Sequence, residues 1–503
     1  VNEWLMILPI GVPLSTASIC FVVRRNRSLQ EAISLTGAAL LFVVAALLLA
    51  RTWTDGIVVA QIGNWPAPYG ITLVADLLAA VMVMITAITG LLIAVYAGAD
   101  IDAAREQAGF HAFYHVLLAG ICGAFLAGDL FNLYVWFEVM LIASFVLLSL
   151  GGERAQLDGA VKYLALNLVS TVLFLSAVGL LYGITGTLNM ADLNRAVPAA
   201  VALGHVGVID AIAVMFMVAF GIKAAVFPLY FWLPAAYHTP PVAVTAIFAA
   251  MLTKVGVYAL IRMFTLVFTQ DTAYTHGLLL WVAVLTMISG VLGAAVQNDI
   301  RRILSFHIIS QIGYMILGLA LLTPLAVAGA VFYLLHHIIV KANLFLIGGV
   351  ARRTGGSFDL NALGGLYRHQ PWLAVLFLIP AFSLAGFPPL SGFWAKLILI
   401  RASLDAEAWW AAAAALAVGL MTVFSMTKIW TYAFWKPRPE GTVPPPPLPR
   451  TTLCWLVAPI VAMATLTCII GLWPEPFVRF AERAAAQLLD PAAYVAAVLG
   501  SGS

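Results

Sequence analysis

Charge is what this chain has least of: Asp, Glu, Lys and Arg make up 9% of its 503 residues, where a soluble domain carries about 25%. That scarcity excludes a solvated globular fold. The net charge of +3 is too small and too dispersed to form a nucleic-acid patch. Cysteine is also rare: Cys20, Cys122, Cys454 and Cys468 form no close pair, so no zinc or iron–sulfur spacing exists and packing roles are expected. Any redox chemistry would therefore belong to another chain. There is no phosphate-binding loop and no dinucleotide fingerprint, which excludes ATP-driven work by this chain alone. No bound cofactor and no metal site is expected. Long polar stretches are missing too: the longest, Lys436 to Arg450, contains the run Pro444 to Pro447 and reads as a stiff, extended linker.

What is present is apolar sequence, 63% of the chain. A helix needs about 20 apolar residues to cross a bilayer. Fourteen candidate spans follow, at 4–23, 30–50, 72–97, 111–128, 130–150, 162–182, 206–236, 241–268, 275–296, 301–322, 324–350, 371–402, 407–433 and 451–472. The fold class is all-α, within a membrane. The first run lacks a small-residue cleavage site and reads as a retained helix. The tail after Trp473 predicts a short surface helix. Arginine clusters at Arg24 to Arg27, Arg301–Arg302 and Arg352–Arg353 fall in loops on one side, which the positive-inside rule makes cytoplasmic. Both termini are then expected outside.

Five charges sit deep within apolar runs, Glu138, Lys223, Lys254, Lys341 and Lys396, and Lys428 lies in its span near the cytoplasmic end. Each costs roughly 3 kcal/mol at bilayer depth on insertion scales, so ion movement is the expected reason for them. The runs 206–236 and 371–402 exceed one straight crossing, and both contain proline. They read as broken helices, and they share a local pattern: Ala225-Val226-Phe227-Pro228 and Ala385-Gly386-Phe387-Pro388, each with a lysine beside the break. Paired interrupted helices point to internal repeats around a midplane site. Lys223 precedes its proline and Lys396 follows its own, which suits repeats of inverted topology.

Three stretches carry a resemblance: KAAVFPLYFWLPAAYHTPPVAVTAIFAAMLTK from Lys223 to Lys254, DIRRILSFHIISQIGYM from Asp299 to Met315, and FSLAGFPPLSGFWAK from Phe382 to Lys396. They resemble signatures of the antiporter-like membrane subunits shared by respiratory complex I and Mrp-type Na+/H+ antiporters. With His111 to Leu150 included, the D-type branch of the Mrp complexes is the nearest likeness. The resemblance implies 14 transmembrane helices with two inverted five-helix repeats. It implies an initial unit 1–110, repeats at 111–268 and 275–433, and a last helix and tail in 434–503. It also implies that Glu138 and Lys223 are ion-pair partners, that Lys254 links them to a central axis, and that His336 or His337 with Lys341 continues it. Lys396 would be the exit. Implied partners are further membrane subunits, H+, Na+ and lipid, in a bacterial plasma membrane.

The chemistry follows from elementary electrostatics. A buried ammonium keeps its proton while a carboxylate is close and yields it when the carboxylate moves away, so a movable Glu138 makes Lys223 a switch. Histidine relays protons near neutral pH, and His337 and Lys341, four apart, share a helical face. The second half has no acid beside Lys396, only His307, Ser310 and Gln311 on its corresponding helix. Bland roles are the competing reading: helix crosslinks for Glu138, snorkelling for Lys428, helix caps for Asp129 and Asp299. Two other assignments compete with antiport, a proton-pumping subunit of a quinone-linked oxidoreductase and an assembly scaffold.

Overall fold

A computed structural model describes residues 2–440 and 445–500; Pro444, in the expected linker, lies outside them. The chain opens with α1 (Asn2–Val22) and α2 (Arg27–Asp55), then a hairpin of β1 (Val58–Gln61) and β2 (Thr72–Ala75) paired antiparallel with Val58 opposite Ala75. There follow α3 (Leu77–Asp100), α4 (Ala103–Gln107), α5 (Phe110–Leu126), α6 (Leu130–Ser149), α7 (Arg154–Thr185) and α8 (Met190–Ala202). The first broken span is α9 (Val206–Ala224) with α10 (Trp232–Ala236). The next is a continuous rod of α11 (Val242–Ile247), a π-helical turn Phe248–Leu252, and α12 (Thr253–Leu266). After α13 (Thr272–Val296), α14 (Ile300–Leu321), α15 (Pro324–Gly355) and α16 (Leu366–His369), the second broken span is α17 (Pro371–Ala385) with α18 (Ser391–Asp405). Last come α19 (Trp409–Ile429) with a π-helical end Trp430–Trp435, α20 (Arg450–Leu472), α21 (Glu475–Leu489) and α22 (Pro491–Leu499).

Among the described residues 12 helices are long and apolar enough to cross a bilayer, and Phe110–Leu126 and Pro371–Ala385 are shorter apolar helices. Together these occupy all the predicted runs. Two boundaries differ most: α7 begins at Arg154 rather than at 162, and residues 72–75 are a strand, with α3 starting only after Asp76, whose carboxylate caps the Ala79 N–H at 2.8 Å. The second strand, buried at all four positions, was hidden by its continuity with the apolar helix behind it.

The spans are not equally enclosed. Windows within Val242–Leu266 and Pro324–Gly355 are 100% buried by the chain and that within Ile300–Leu321 is 94% buried, against 39% for Arg27–Asp55, Arg154–Thr185 and Arg450–Leu472. The rod α11–α12, α14 and α15 therefore form an inner row; α3, at 72%, and α5 are also largely enclosed, and the least buried helices face outward to lipid or neighbours. Glycines set how closely this row meets its neighbours α9 and α13. A Cβ on Gly256 would lie 2.5 Å from the Ala224 nitrogen, and one on Gly290 would lie 2.4 Å from the Ser310 nitrogen. Only glycine permits such backbone approach.

Two features repeat across the chain. Asp129 caps α6 through the Asn132 N–H and bridges Asn189, while Asp299 caps α14 through the Arg302 N–H and bridges Asp359. The backbone bonds match: Leu130 N–H to Leu188 O and Met190 N–H to Gly128 O in the first, Ile300 N–H to Phe358 O and Leu360 N–H to Asn298 O in the second. Both aspartates are caps, as expected.

The tail is more elaborate than one surface helix. Gln487 on α21 accepts the Leu77 N–H at 3.0 Å, and Tyr494 on α22 lies against the Arg262 guanidinium. The linker lacks helix and strand where described, but it is not free. Lys436 O accepts the Gly365 N–H, and Arg438 reaches Thr354 O.

Candidate functional site

The helix breaks position the first charges. At Ala224 the chain turns left-handed (Ala225, φ 60°), and the Trp232 indole folds back to donate to Ile222 O at 2.9 Å. Lys223 is thus held in the last turn of α9, 7% exposed, its ammonium 5.7 Å from the centre of the Phe137 ring. Glu138 is next to Phe137 on α6, half-buried, and accepts a 2.7 Å bond from Thr171 on α7. It lies within electrostatic range of Lys223 but is not in ion-pair contact. The pair implied by resemblance is open in this arrangement, with the carboxylate held by a hydroxyl and the ammonium by an aromatic face.

Lys254 is fully buried, and the π-helical turn explains how it is accommodated. A π turn displaces carbonyls from the α-helical ladder, and Lys254 Nζ donates to one of them, Ala249 O. Beside it the Thr253 hydroxyl is buried without a partner. His337 lies within electrostatic range of Lys254, Lys341, His336 and His307, and both its ring nitrogens are buried and unpartnered. Lys341, also fully buried, donates to Leu304 O at 3.1 Å. His307 stands within range of Lys341 and Lys396, again with both nitrogens unpartnered.

At the second break Gly386 takes φ +94°, and Lys396 Nζ donates to the freed Ala385 carbonyl at 3.1 Å, 5.1 Å from the Tyr314 ring centre. His336 is tied to this break rather than to the row: its Nδ1 pairs with Ser391 at 2.7 Å, and Ser391 with Ser383 at 2.9 Å. The structure therefore brings Lys254, His337, Lys341, His307 and Lys396 together along the inner row, with Glu138 and Lys223 at one end. A buried imidazole with no protein partner is costly unless water meets it. The row's unpaired nitrogens, the Gln311 amide and Asn343 are groups that ordered water would satisfy.

Sequence reasoning passed over several members. Asn343, on α15, is buried with both amide atoms unpaired, and Tyr333 donates to Gln311; a polar side chain amid apolar neighbours was the available signal for each. Lys428 is not simply snorkelling. It donates to Ala295 O at 3.1 Å and Gln297 O at 2.7 Å, closing the end of α13. Of the cysteines, Cys20 and Cys122 are buried, but Cys454 is exposed on the outer face of α20.

A many-span helical chain with two interrupted helices and a buried row of bases belongs to the class of ion-conducting membrane subunits. The family described as NADH:quinone oxidoreductase/Mrp antiporter transmembrane region matches residues 127–422, and this chain belongs to it. It is 48% identical over 498 residues to the D-type subunit of the Na(+)/H(+) antiporter of Alkalihalophilus pseudofirmus, covering 98% of this chain and 99% of that one. Among solved structures it resembles a chain of the Mrp complex from Dietzia, with a TM-score of 0.91, 34% identity and 99% of both chains covered. It also resembles a chain of the membrane-bound sulfane sulfur reductase, an archaeal respiratory membrane complex, with a TM-score of 0.88, 26% identity and coverage of 99% and 100%.

Proposed function

We propose that this chain is the proton-translocating subunit of a multisubunit Na+/H+ antiporter of the Mrp type, a transporter component rather than an enzyme. The observation that supports the mechanism is the row of buried bases, with unpartnered ring nitrogens between lysines, two of which, Lys254 and Lys396, rest on carbonyls freed by a π turn and a helix break. Protons pass between such groups through water. Glu138 sets whether Lys223 holds its proton: it swings from Thr171 toward the lysine or back. Lys254 receives the proton across the Gly256 contact, His337 and His307 relay it past Lys341, and Lys396 delivers it at the second break. Because Lys341 feels the charge of Lys254 on one side and of Lys396 on the other, protonating either favours deprotonating Lys341, which gives the row direction once Glu138 moves.

In this reading residues 111–268 and 275–433 are inverted repeats, supported by the paired caps and bridges at Asp129 and Asp299. Residues 1–110 and 434–503 flank them. Both termini lie on the outer side of a bacterial plasma membrane, supported by the arginine clusters on the opposite helix ends.

In the assembled complex, Glu138→Gln and Lys223→Ala should each abolish Na+-dependent proton movement in everted vesicles at normal assembly. Retention of antiport in both would sink the reading. The likeness to a respiratory complex subunit keeps a redox-driven pump as the second reading. Purified partners carrying flavin or iron–sulfur clusters would favour it, and their absence together with Na+-dependent transport favours the antiporter.

A further inference from the structure

Away from the proton row, on the helix ends where the arginine clusters lie, four guanidinium groups converge on a cavity of about 270 Å3. Arg105, Arg301, Arg352 and Arg353 line it, with Asp100 and Glu153 as its only carboxylates among the described residues. Those carboxylates are already engaged. Glu153 holds Arg105 at 2.8 Å, and Asp100 holds Arg353 at 3.2 Å while accepting the Ala243 N–H at 2.9 Å. Arg301 and Arg352 have no ion pair among the described residues. Instead both lie against one aromatic ring, their guanidinium carbons 3.8 Å and 5.2 Å from the centre of Phe358. Asp299, the nearest acid in sequence, caps α14 through one carboxylate oxygen and acts on Arg301 at longer range, without ion-pair contact.

Two like charges sharing one ring repel each other, and ring stacking leaves their N–H edges free. Arg301 spends one terminal nitrogen on Pro240 O at 3.5 Å, and its Nε is buried with no partner. A second observation is consistent with this: the Gln156 side chain on the cavity wall is 1% exposed, and its carbonyl oxygen has no partner among the described residues, so no hydrogen bond at that oxygen is lost if the amide turns over. An amide is free to turn its NH2 toward an acceptor.

We propose that this cavity binds a phosphate-type oxyanion, bridged by Arg301 and Arg352 and steadied by Gln156. A tetrahedral dianion offers enough acceptor oxygens for two planar forks at once and cancels their repulsion. The cavity joins the start of α11, whose rod carries Lys254, to the ends of α14 and α15. Its occupant would brace the two halves at one surface. This proposal stands independently of the antiport reading.

The test uses the purified complex in chloride buffer at fixed ionic strength, wild type against Arg301→Gln/Arg352→Gln, with the exposed Arg401→Gln as control. In one arm inorganic phosphate is titrated and the unfolding midpoint read. In the other, co-purified phospholipid is extracted and quantified. A phosphate-dependent rise in wild type and control, with apparent affinity roughly tenfold weaker or more in the double variant, supports a free anion as occupant. Loss of tightly held anionic lipid in the double variant alone supports a headgroup. Equal phosphate response and equal lipid content in all three proteins would overturn the site. If the double variant fails to assemble, Arg352→Gln at the exposed position answers the same question.

Discussion

At the scale of single residues, the buried histidines separate transport from folding. His337 lies fully enclosed with neither ring nitrogen bonded to protein, so it contributes little that an apolar side chain of similar size would not. His337→Leu is expected to leave the thermal stability of the purified complex unchanged or raised, because the ring makes no hydrogen bond to the described residues that the substitution would remove, while antiport falls by at least an order of magnitude. A loss of stability with transport intact would mean the ring is a packing element. Of the named site residues, Lys223, Lys254, Lys341 and Lys396 were legible at once as charges in apolar runs. What each ammonium rests on was not legible, since a π turn at Phe248–Leu252 and an aromatic face contributed by another helix leave no mark in local composition.

At the scale of elements, the two breaks are alike in sequence and different in use. Ala225 tolerates its left-handed turn at φ 60°, whereas Gly386 sits at φ +94°, and a Cβ there would come 2.9 Å from Cδ of Lys396. Gly386→Ala is expected to destabilise the α17–α18 break by roughly 1–3 kcal/mol of backbone strain and to displace Lys396 from Ala385 O. Reduced transport with faster proteolysis around the break would be the signature. The short helix α4 makes a separate prediction. Its Glu106 is almost fully enclosed and meets Arg27 of α2 at 2.7 Å; burial outweighs that arginine and raises the carboxyl to about 7. A raised acid binds more protons folded than unfolded, so its contribution is complete below its ordinary value of 4.5 and is lost as pH climbs through about 7. The opening free energy of α4, read by hydrogen exchange corrected for intrinsic rates, should fall across that window. Glu106→Gln should flatten the profile.

At the scale of the whole molecule, the tail closes over one end of the bundle. Arg262, near the end of α12, is buried in an ion pair with Asp76 at 2.6 Å, side chains 5% and 2% exposed. It donates to the Tyr258 hydroxyl at 3.1 Å and is flanked by the Tyr258 and Tyr494 rings. The pair thus links α3, the rod carrying Lys254, and α22. Asp76→Ala would strand a buried guanidinium, which costs roughly 3–5 kcal/mol. The expected result is a lower unfolding midpoint and release of α22 to protease. An unchanged midpoint with a protected tail would show that Arg262 finds water instead.

The sequence by itself determined the medium, the run of spans and the presence of intramembrane charge, because hydropathy over about 20 residues is a local property and an isolated lysine within such a run has no local excuse. It also disclosed both breaks, since proline and glycine act on their own backbone. Only the tertiary structure decided which spans are enclosed, which bases line up, and that Glu138 stands with Thr171 rather than against Lys223. Those depend on which faces of α6, α7, α9, α12, α14 and α15 meet, and near-uniform hydrophobicity around a buried helix carries no stripe to say so. The arginine cavity was hidden for the same reason: its lining comes from helix ends far apart in the chain, and neither electrostatic repulsion nor its relief has a sequence period.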